Sequence, residues 1–339
     1  MSIAYEEIIN ENKAFIIAEI GANHNCEISL AYELIDAAFE SGADAVKFQS
    51  IQINELYYLP NEATKSLHSK LDLDGDWFSK LKEYSDKRGI IFFSSPTYLK
   101  AVDTMEELGV DIYKLASAQI GTFPQIIEKV AKLQKTTLLS TGLVTYGGLE
   151  KVVKIFKACK NNKFVILHCN SIYPTPYEKV DLNLINVYRN MFGKPVGYSD
   201  HTSDIYIPIA AVSMGACVIE KHFTLDRQKA TPDACVSLEP DEFNKMVTGI
   251  RNVEQALKGG ERTEIHNEEK KFKNSIIYRL ILERDKRQGE GFDIEDFVFK
   301  RHPNGIDCRD IEYVIKFFKA KADISKGVIL SWGLLEGKE

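Results

Sequence analysis

The sequence predicts an α/β protein, a (β/α)8 TIM barrel followed by a small β-rich unit. Three observations carry this. Between Phe15 and Gly260, short apolar runs alternate with amphipathic stretches of helical period. The runs are rich in Ile, Val and Phe and mostly do not alternate with polar residues, as expected of strands covered on both faces. No GxGxxG is present to favour an open doubly wound sheet, and eight strand-then-helix units close more readily into a barrel.

Taken in order, the strands are read in FIIAEI (15–20), AVKFQ (45–49), IIFFSS (90–95), IYKLAS (112–117), TTLLSTG (136–142), FVILHCN (164–170), VGYSD (196–200) and CVIEKHF (217–223). Helices are read in SLAYELIDAAFESG, WFSKLKEYSDKRG, KAVDTMEELG, FPQIIEKVAKL, LEKVVKIFKACK, YIPIAAVSMG and DEFNKMVTGIRNVEQALKGG. Their apolar residues recur at steps of three and four, and several end in glycine, a usual helix stop. After Gly259-Gly260 the stretch GGERTEIHNEEKKFKNS is polar and charged and reads as a linker. IIYRLIL, a turn in RDKRQGEG, DIEDFVFKR, the loop HPNGID and AKADISKGVILSWGLL then read as short strands and turns. The expected division is a barrel domain over 1–275, with the linker from about 259, and a second domain over 276–339. The second is small for an independent core and is expected to lean on a barrel, its own or a neighbour's.

Composition narrows the function. The 339 residues are 44% hydrophobic and 27% charged, ordinary for a globular protein, and a net charge of −6 leaves no basic excess for nucleic acid. No apolar run reaches membrane-spanning length, and MSIAYEEIINENK is too acidic for a signal peptide, so a cytoplasmic protein is expected. The six cysteines show no CxxC spacing and read as reduced thiols packed as small hydrophobes.

The candidate site lies where the strands end. Polar residues close nearly every run: Glu19, Lys47 and Gln49, Ser94 and Ser95, Lys114 and Ser117, Ser140 and Thr141, His168 and Asn170, Ser199 and His201, Lys221 and His222. In a barrel the C-terminal strand ends converge on one face, so these form a ring. Three lysines and several serines there suit a ligand carrying phosphate and carboxylate. A lone lysine is ordinarily solvated or ion-paired, but Lys47 and Lys114 interrupt apolar runs, where an unpaired ammonium is costly. His201 and His222 close neighbouring strands and suggest an open divalent-metal site, with Asp200 and Asp233 as nearby acidic candidates. His24 and His168 are read as orienting or packing groups.

At these residues the chain resembles a known family. AEIGANHN, GADAVKFQ, FSSP, YKLAS, STG, HCNSIYPTP, VGYSDHT, GACVIEKHFT and SLEPDEF occur in the order found in the sialic acid (nonulosonic acid) synthases, which comprise N-acetylneuraminate, legionaminate and pseudaminate synthases. RDKRQGEGFDIEDFVFKR and ADISKG resemble that family's C-terminal antifreeze-like (SAF) domain. The resemblance implies condensation of phosphoenolpyruvate with an N-acyl mannosamine-type sugar, to a nine-carbon 2-keto acid used in surface polysaccharides. It also implies a divalent metal, Mn²⁺ or Mg²⁺, on His201 and His222. Carried over by motif, Lys47, Ser95, Lys114, Ser117, Ser140 and Ser199 fall at phosphoenolpyruvate-binding positions and Glu19 at the acid/base position. Gln49, Tyr173 and Asp233 fall on the sugar side. Arg301 matches an arginine reaching into the partner subunit's site, which implies a domain-swapped homodimer.

Four positions depart from the family pattern. Gln119 stands where many members carry an acidic residue contacting the sugar, and Ser171 where some carry asparagine beside the phosphate. Cys26 replaces a common glycine, and HPNG replaces PGNG or PGTG beside Arg301. Gln119 bears on which sugar is used, and EIGANH rather than ELSANH points away from pseudaminate. The rival readings are a metal-dependent or Schiff-base sugar aldolase on the same barrel, and a non-catalytic sugar-binding protein.

Overall fold

Each strand's inward residues explain the architecture. The computed structural model describes residues 3–338 except 11, 69–70, 74, 230, 232 and 261. Eight strands, β1 Phe15–Glu19, β2 Ala45–Ser50, β3 Ile91–Pro96, β4 Ile112–Leu115, β5 Thr136–Ser140, β6 Phe164–Cys169, β7 Val196–Asp200 and β8 Val218–His222, form one parallel sheet in the order β3-β2-β1-β8-β7-β6-β5-β4. The end strands meet where the Ser95 hydroxyl donates to the Lys114 carbonyl at 3.2 Å. The fold is the expected (β/α)8 barrel.

Alternation along the strands sorts the core into two layers. Phe15, Ile17, Ala45, Ile91, Phe93, Ile112, Leu138, Val165, Leu167 and Val218 face inward and fill the barrel's lower half. Ile8, on the short helix Tyr5–Ile8 that precedes β1, packs with them. The outward set, including Ile16, Ala18, Val46, Phe48, Phe92, Ile166 and Ile219, packs against the helices. Helices Ile28–Glu40, Gly75–Arg88, Leu99–Glu107, Pro124–Lys132, Tyr146–Ala158, Leu184–Phe192, Tyr206–Ser213 and Pro240–Leu257 follow β1 to β8 in turn.

Several elements differ from the expectation. The helix Leu184–Phe192 was not among those read from the sequence; it buries only Ile185 and Tyr188 and stops at Gly193. Short helices Ile53–Leu56 and Glu62–His68 interrupt the path from β2 to its helix. Ser117 opens a helix, Ser117–Thr122, rather than ending a strand. The expected linker holds a helix, Asn267–Ile276, whose Glu269 carboxylate accepts the His266 N–H at 3.1 Å; Glu261 of that stretch lies outside the described residues. A polar composition does not prevent a helix when the first turn is acidic and capped.

The chain divides into two compact units, Met1–Gly259 and Gly260–Glu339. In the second, β9 Tyr278–Leu282 pairs antiparallel with β10 Phe297–Arg301, and β11 Phe318–Ala320 with β12 Leu335–Gly337. A helix, Ile311–Phe317, lies between the pairs in sequence. Leu280, Leu282, Phe292, Phe297, Ile306, Val314 and Leu330 are buried together, so this unit has an apolar core of its own. Cys169 and Cys217 are buried as expected, whereas Cys235 is exposed. No helix among the described residues is long and apolar enough to cross a membrane.

Candidate active site

Above the apolar plug, the next inward position is polar on seven of the eight strands, and on β6 it is Cys169. Glu19, Lys47, Lys114, Ser140, Ser199 and Glu220 form a buried floor under a cavity of about 240 Å³ at the C-terminal mouth. A larger hollow of about 350 Å³ lies at the other end, against Ala14, Arg189 and Cys217. Two of its charged groups are occupied within the fold: Arg189 donates to the Met214 and Gly215 carbonyls, and Glu254 accepts the Ala14 N–H. The mouth, with its unpartnered polar atoms, is the candidate chemical site.

Two crossed ion pairs organise the floor. Lys47 Nζ lies 2.6 Å from Glu19 and 3.8 Å from Glu220, and Lys114 Nζ lies 2.5 Å from Glu220. Gln49 donates to Glu19 Oε1 at 2.7 Å and the Ser199 hydroxyl to Glu220 Oε1 at 3.0 Å. Their proton affinities are driven apart. Burial pushes the Glu19 carboxyl above the ordinary value, against the pull of Lys47, and Glu220's charge adds to the rise. Burial acts in the same direction on Glu220, but Lys114 and Lys47 overcome it and hold that carboxyl at about 2. Lys114 is pushed down by burial, with Glu220 opposing. One carboxyl suited to carry a proton beside one that stays ionised is the arrangement acid–base chemistry requires.

The serine side has open valences. Ser140 Oγ is buried without a partner, and the Ser117 hydroxyl accepts the Gly142 N–H at 3.0 Å. A Cβ at Gly142 would come within 2.4 Å of Ser171 Oγ, so STG needs its glycine for close approach. Ser95, Ser117, Ser171 and Tyr173 line the same cavity, as does Gln119, whose buried Oε1 has no partner.

His201 and His222 stand side by side, ring centroids 5.3 Å apart. His201 Nδ1 donates to the Asn170 carbonyl at 2.6 Å, which leaves Nε2 with its lone pair. Tyr173 stacks on His201 with centroids 4.1 Å apart. His222 Nδ1 is buried without a hydrogen bond, and Asp233 Oδ2 lies 3.8 Å from it. Burial pushes His222 down to about 3, so its imidazole is neutral. Among the described residues no group of three or more His, Cys, Asp or Glu forms a metal cage. Two adjacent imidazoles, each with a ring nitrogen left open, nonetheless fit an open divalent site whose other positions fall to water and substrate.

Most expected residues are brought together. Glu19, Lys47, Gln49, Ser95, Lys114, Ser117, Gln119, Ser140, Ser171, Tyr173, Ser199, His201 and His222 all line the cavity. Asp233 sits beside it, accepting the Ala22 N–H at 2.8 Å directly over Gly21. Arg301 ends β10 in the second unit, its guanidinium 5.4 Å from the Tyr278 ring. Lys221 is a correction: it is absent from the mouth because it falls between Glu220 and His222 and faces outward, as does Asp200. Ser94 and His168 also face outward, bonding to Ser50 and to the Val180 carbonyl. His24 packs near Phe48 and Trp77. Glu220 was missed in the sequence, although its spacing of two from His222 already placed both on one face. Cys169, on the inward face of β6, was missed likewise.

A sequence profile of the NeuB family matches residues 34–262. The chain belongs to the NeuB family. It is 38% identical to the N,N'-diacetyllegionaminic acid synthase of Campylobacter jejuni, over 88% of this chain and 94% of that one. It is 35% identical to the human N-acetylneuraminate-9-phosphate synthase, over 73% and 72%. Among solved structures, the N-acetylneuraminic acid synthetase of Leptospira borgpetersenii, in complex with citrate, superposes with a TM-score of 0.71 at 35% identity, covering 78% of this chain and 93% of that one. These relatives are acid synthases, and this NeuB-family chain is an enzyme of their kind.

Proposed function

We propose that the chain condenses phosphoenolpyruvate with an open-chain N-acyl mannosamine-type sugar, giving a nine-carbon 2-keto acid and phosphate. C3 of phosphoenolpyruvate bonds to the aldehyde carbon, whose oxygen takes up a proton. Water adds at C2, and phosphate departs with cleavage of the C2–O bond, so water supplies the ketone oxygen. Lys47, Lys114 and the hydroxyls of Ser95, Ser117, Ser140 and Ser199 hold the phosphate and carboxylate. Glu19 gives its proton at the aldehyde oxygen, and the charge of Glu220 favours the ammonium form of both lysines. The observation that carries this reading is that pair of carboxyls, one raised and one held at about 2, between two lysines at the mouth.

His201 and His222 would hold a divalent Mn²⁺ or Mg²⁺, which when bound supplies Lewis-acid polarisation of the aldehyde. The sugar is proposed from Gln119. Its unpartnered buried amide oxygen would accept a neutral N–H or O–H, and it suits a second acetamido group of the kind named in the N,N'-diacetyllegionaminic acid synthases of Campylobacter jejuni and Legionella pneumophila. The second unit is proposed as a SAF domain, and Arg301 as a residue completing the sugar site of a partner subunit. Phosphate release measured with phosphoenolpyruvate and a panel of N-acetylated hexoses, with one and with two acetamido groups, tests the whole reading. No release with any sugar would remove it. Lys114, pushed down by burial, is the one feature suited to a Schiff-base aldolase, and borohydride trapping of substrate on that lysine would favour the rival.

A further inference from the structure

Behind the two imidazoles, on the outer face of the sheet, lies a polar cluster that does not line the cavity. Asp200, Lys221 and Thr202 are each 0% exposed. Lys221 Nζ lies 2.6 Å from Asp200 Oδ2 and also donates to the Thr202 carbonyl. Asp200 Oδ1 accepts the Thr202 N–H at 3.0 Å and the Tyr198 hydroxyl at 2.8 Å, while Oδ2 accepts the Thr202 hydroxyl at 2.9 Å. All three polar groups of Thr202 therefore end in this cluster.

An ion pair sealed from water is a weak source of stability, because desolvation offsets most of the Coulomb attraction; fixing register is its best-attested use. Here the placement fits that use. Asp200 and Lys221 are register partners on adjacent strands. His201 lies between Asp200 and Thr202, both held by the cluster, and His222 directly follows Lys221. Thr202 belongs to the turn that carries one imidazole, and Lys221 to the strand that carries the other. The cluster thus ties together the two backbone segments whose side chains stand with ring centroids 5.3 Å apart.

We infer that Asp200, Lys221 and Thr202 are positioning residues that set the spacing of His201 and His222, and through it the affinity of that pair for a divalent cation. The inference rests on the proposed metal role of the two histidines. Outer partners that orient metal-binding histidines typically change metal affinity by about 10–100-fold when removed.

The test is a Co²⁺ titration of the chelator-treated protein, followed by visible absorption, with phosphoenolpyruvate affinity measured by calorimetry in the absence of metal. The Asp200→Asn/Lys221→Met double variant removes both charges together. It is expected to bind Co²⁺ about 10–100-fold more weakly, with an altered absorption band and unchanged phosphoenolpyruvate affinity. A general loosening of the barrel would weaken both ligands together, and that result overturns the inference. Wild-type Co²⁺ affinity in the double variant, alongside a loss in His222→Ala, overturns the inference and leaves the metal reading standing. If His222→Ala binds Co²⁺ as the wild type does, the metal reading fails and takes this one with it. Should the double variant not fold, Thr202→Val and Thr202→Ser decide. Weaker binding in Val with recovery in Ser supports the device, and equal binding in both overturns it.

Discussion

Glu19 shows how much a single side chain's chemistry depends on its neighbours. Its carboxyl is raised by burial, and Gln49 and Lys47 fix its two oxygens, so it is placed to move a proton without being free to swing. Glu19→Gln is expected to lower kcat by about 10²–10⁴-fold while phosphoenolpyruvate still binds, in steady-state phosphate release and calorimetry respectively. A wild-type kcat with only a raised KM would make Glu19 a binding group. Two residues on, Gly21 has φ +52°, and a Cβ there would come within 2.3 Å of Asp233 Oδ2. Gly21→Ala is expected to cost about 1–3 kcal/mol in denaturant unfolding and to push Asp233 away from His222, because strain and overlap act together.

At the scale of elements, the β9–β10 hairpin is held by a buried carboxylate. Asp296, which precedes β10, is 1% exposed and lies 2.5 Å from Arg284 Nε and 2.6 Å from Lys286 Nζ. Burial opposes its ionisation, yet Lys286 and Arg284 bring its carboxyl below the ordinary value. A depressed folded value means that this stabilisation is complete above the unfolded value of about 3.9, and it is lost as pH falls through the folded one. Asp296→Asn should destabilise the second unit by about 2 kcal/mol at pH 7, and the difference from wild type should vanish at strongly acidic pH. In a Trp77→Phe background the remaining tryptophan, Trp332, reports this unit alone by fluorescence. A constant difference across the whole pH range would show that charge is not the cause.

For the whole molecule, the open matter is why a second unit with its own core accompanies the barrel. If Arg301 serves the partner subunit's sugar site, catalysis requires a dimer, since a guanidinium fork suits sugar hydroxyls and acyl oxygen. Inactive Glu19→Gln and Arg301→Ala subunits, mixed under conditions that exchange subunits, should then regain activity. In the mixed dimer one site carries both defects and the other carries neither. If mass spectrometry finds mixed dimers and activity stays absent, the arginine acts within its own chain or not at all.

The sequence by itself determined the barrel, because strand period and helix period leave distinct marks on apolar residues, and eight repetitions reinforce them. It also indicated that polar strand ends would meet at one mouth, and thirteen of the residues it named line the cavity there. It did not separate Lys221 from Lys47 and Lys114, although the same alternation places Lys221 on the outer face. Reading strand ends as a ring of residue types overlooked that one-residue step, and with it Glu220. The helix at Asn267–Ile276 escaped because its polar composition was read as a linker, although its acidic first turn favours a helix start. What only the tertiary structure decided are the partners: Lys47 with Glu19, Lys114 with Glu220, Lys221 with Asp200. Two carboxyls of nearly equal intrinsic acidity acquire opposite shifts through burial and charges from strands distant in sequence, and such distances exist only once the barrel has closed.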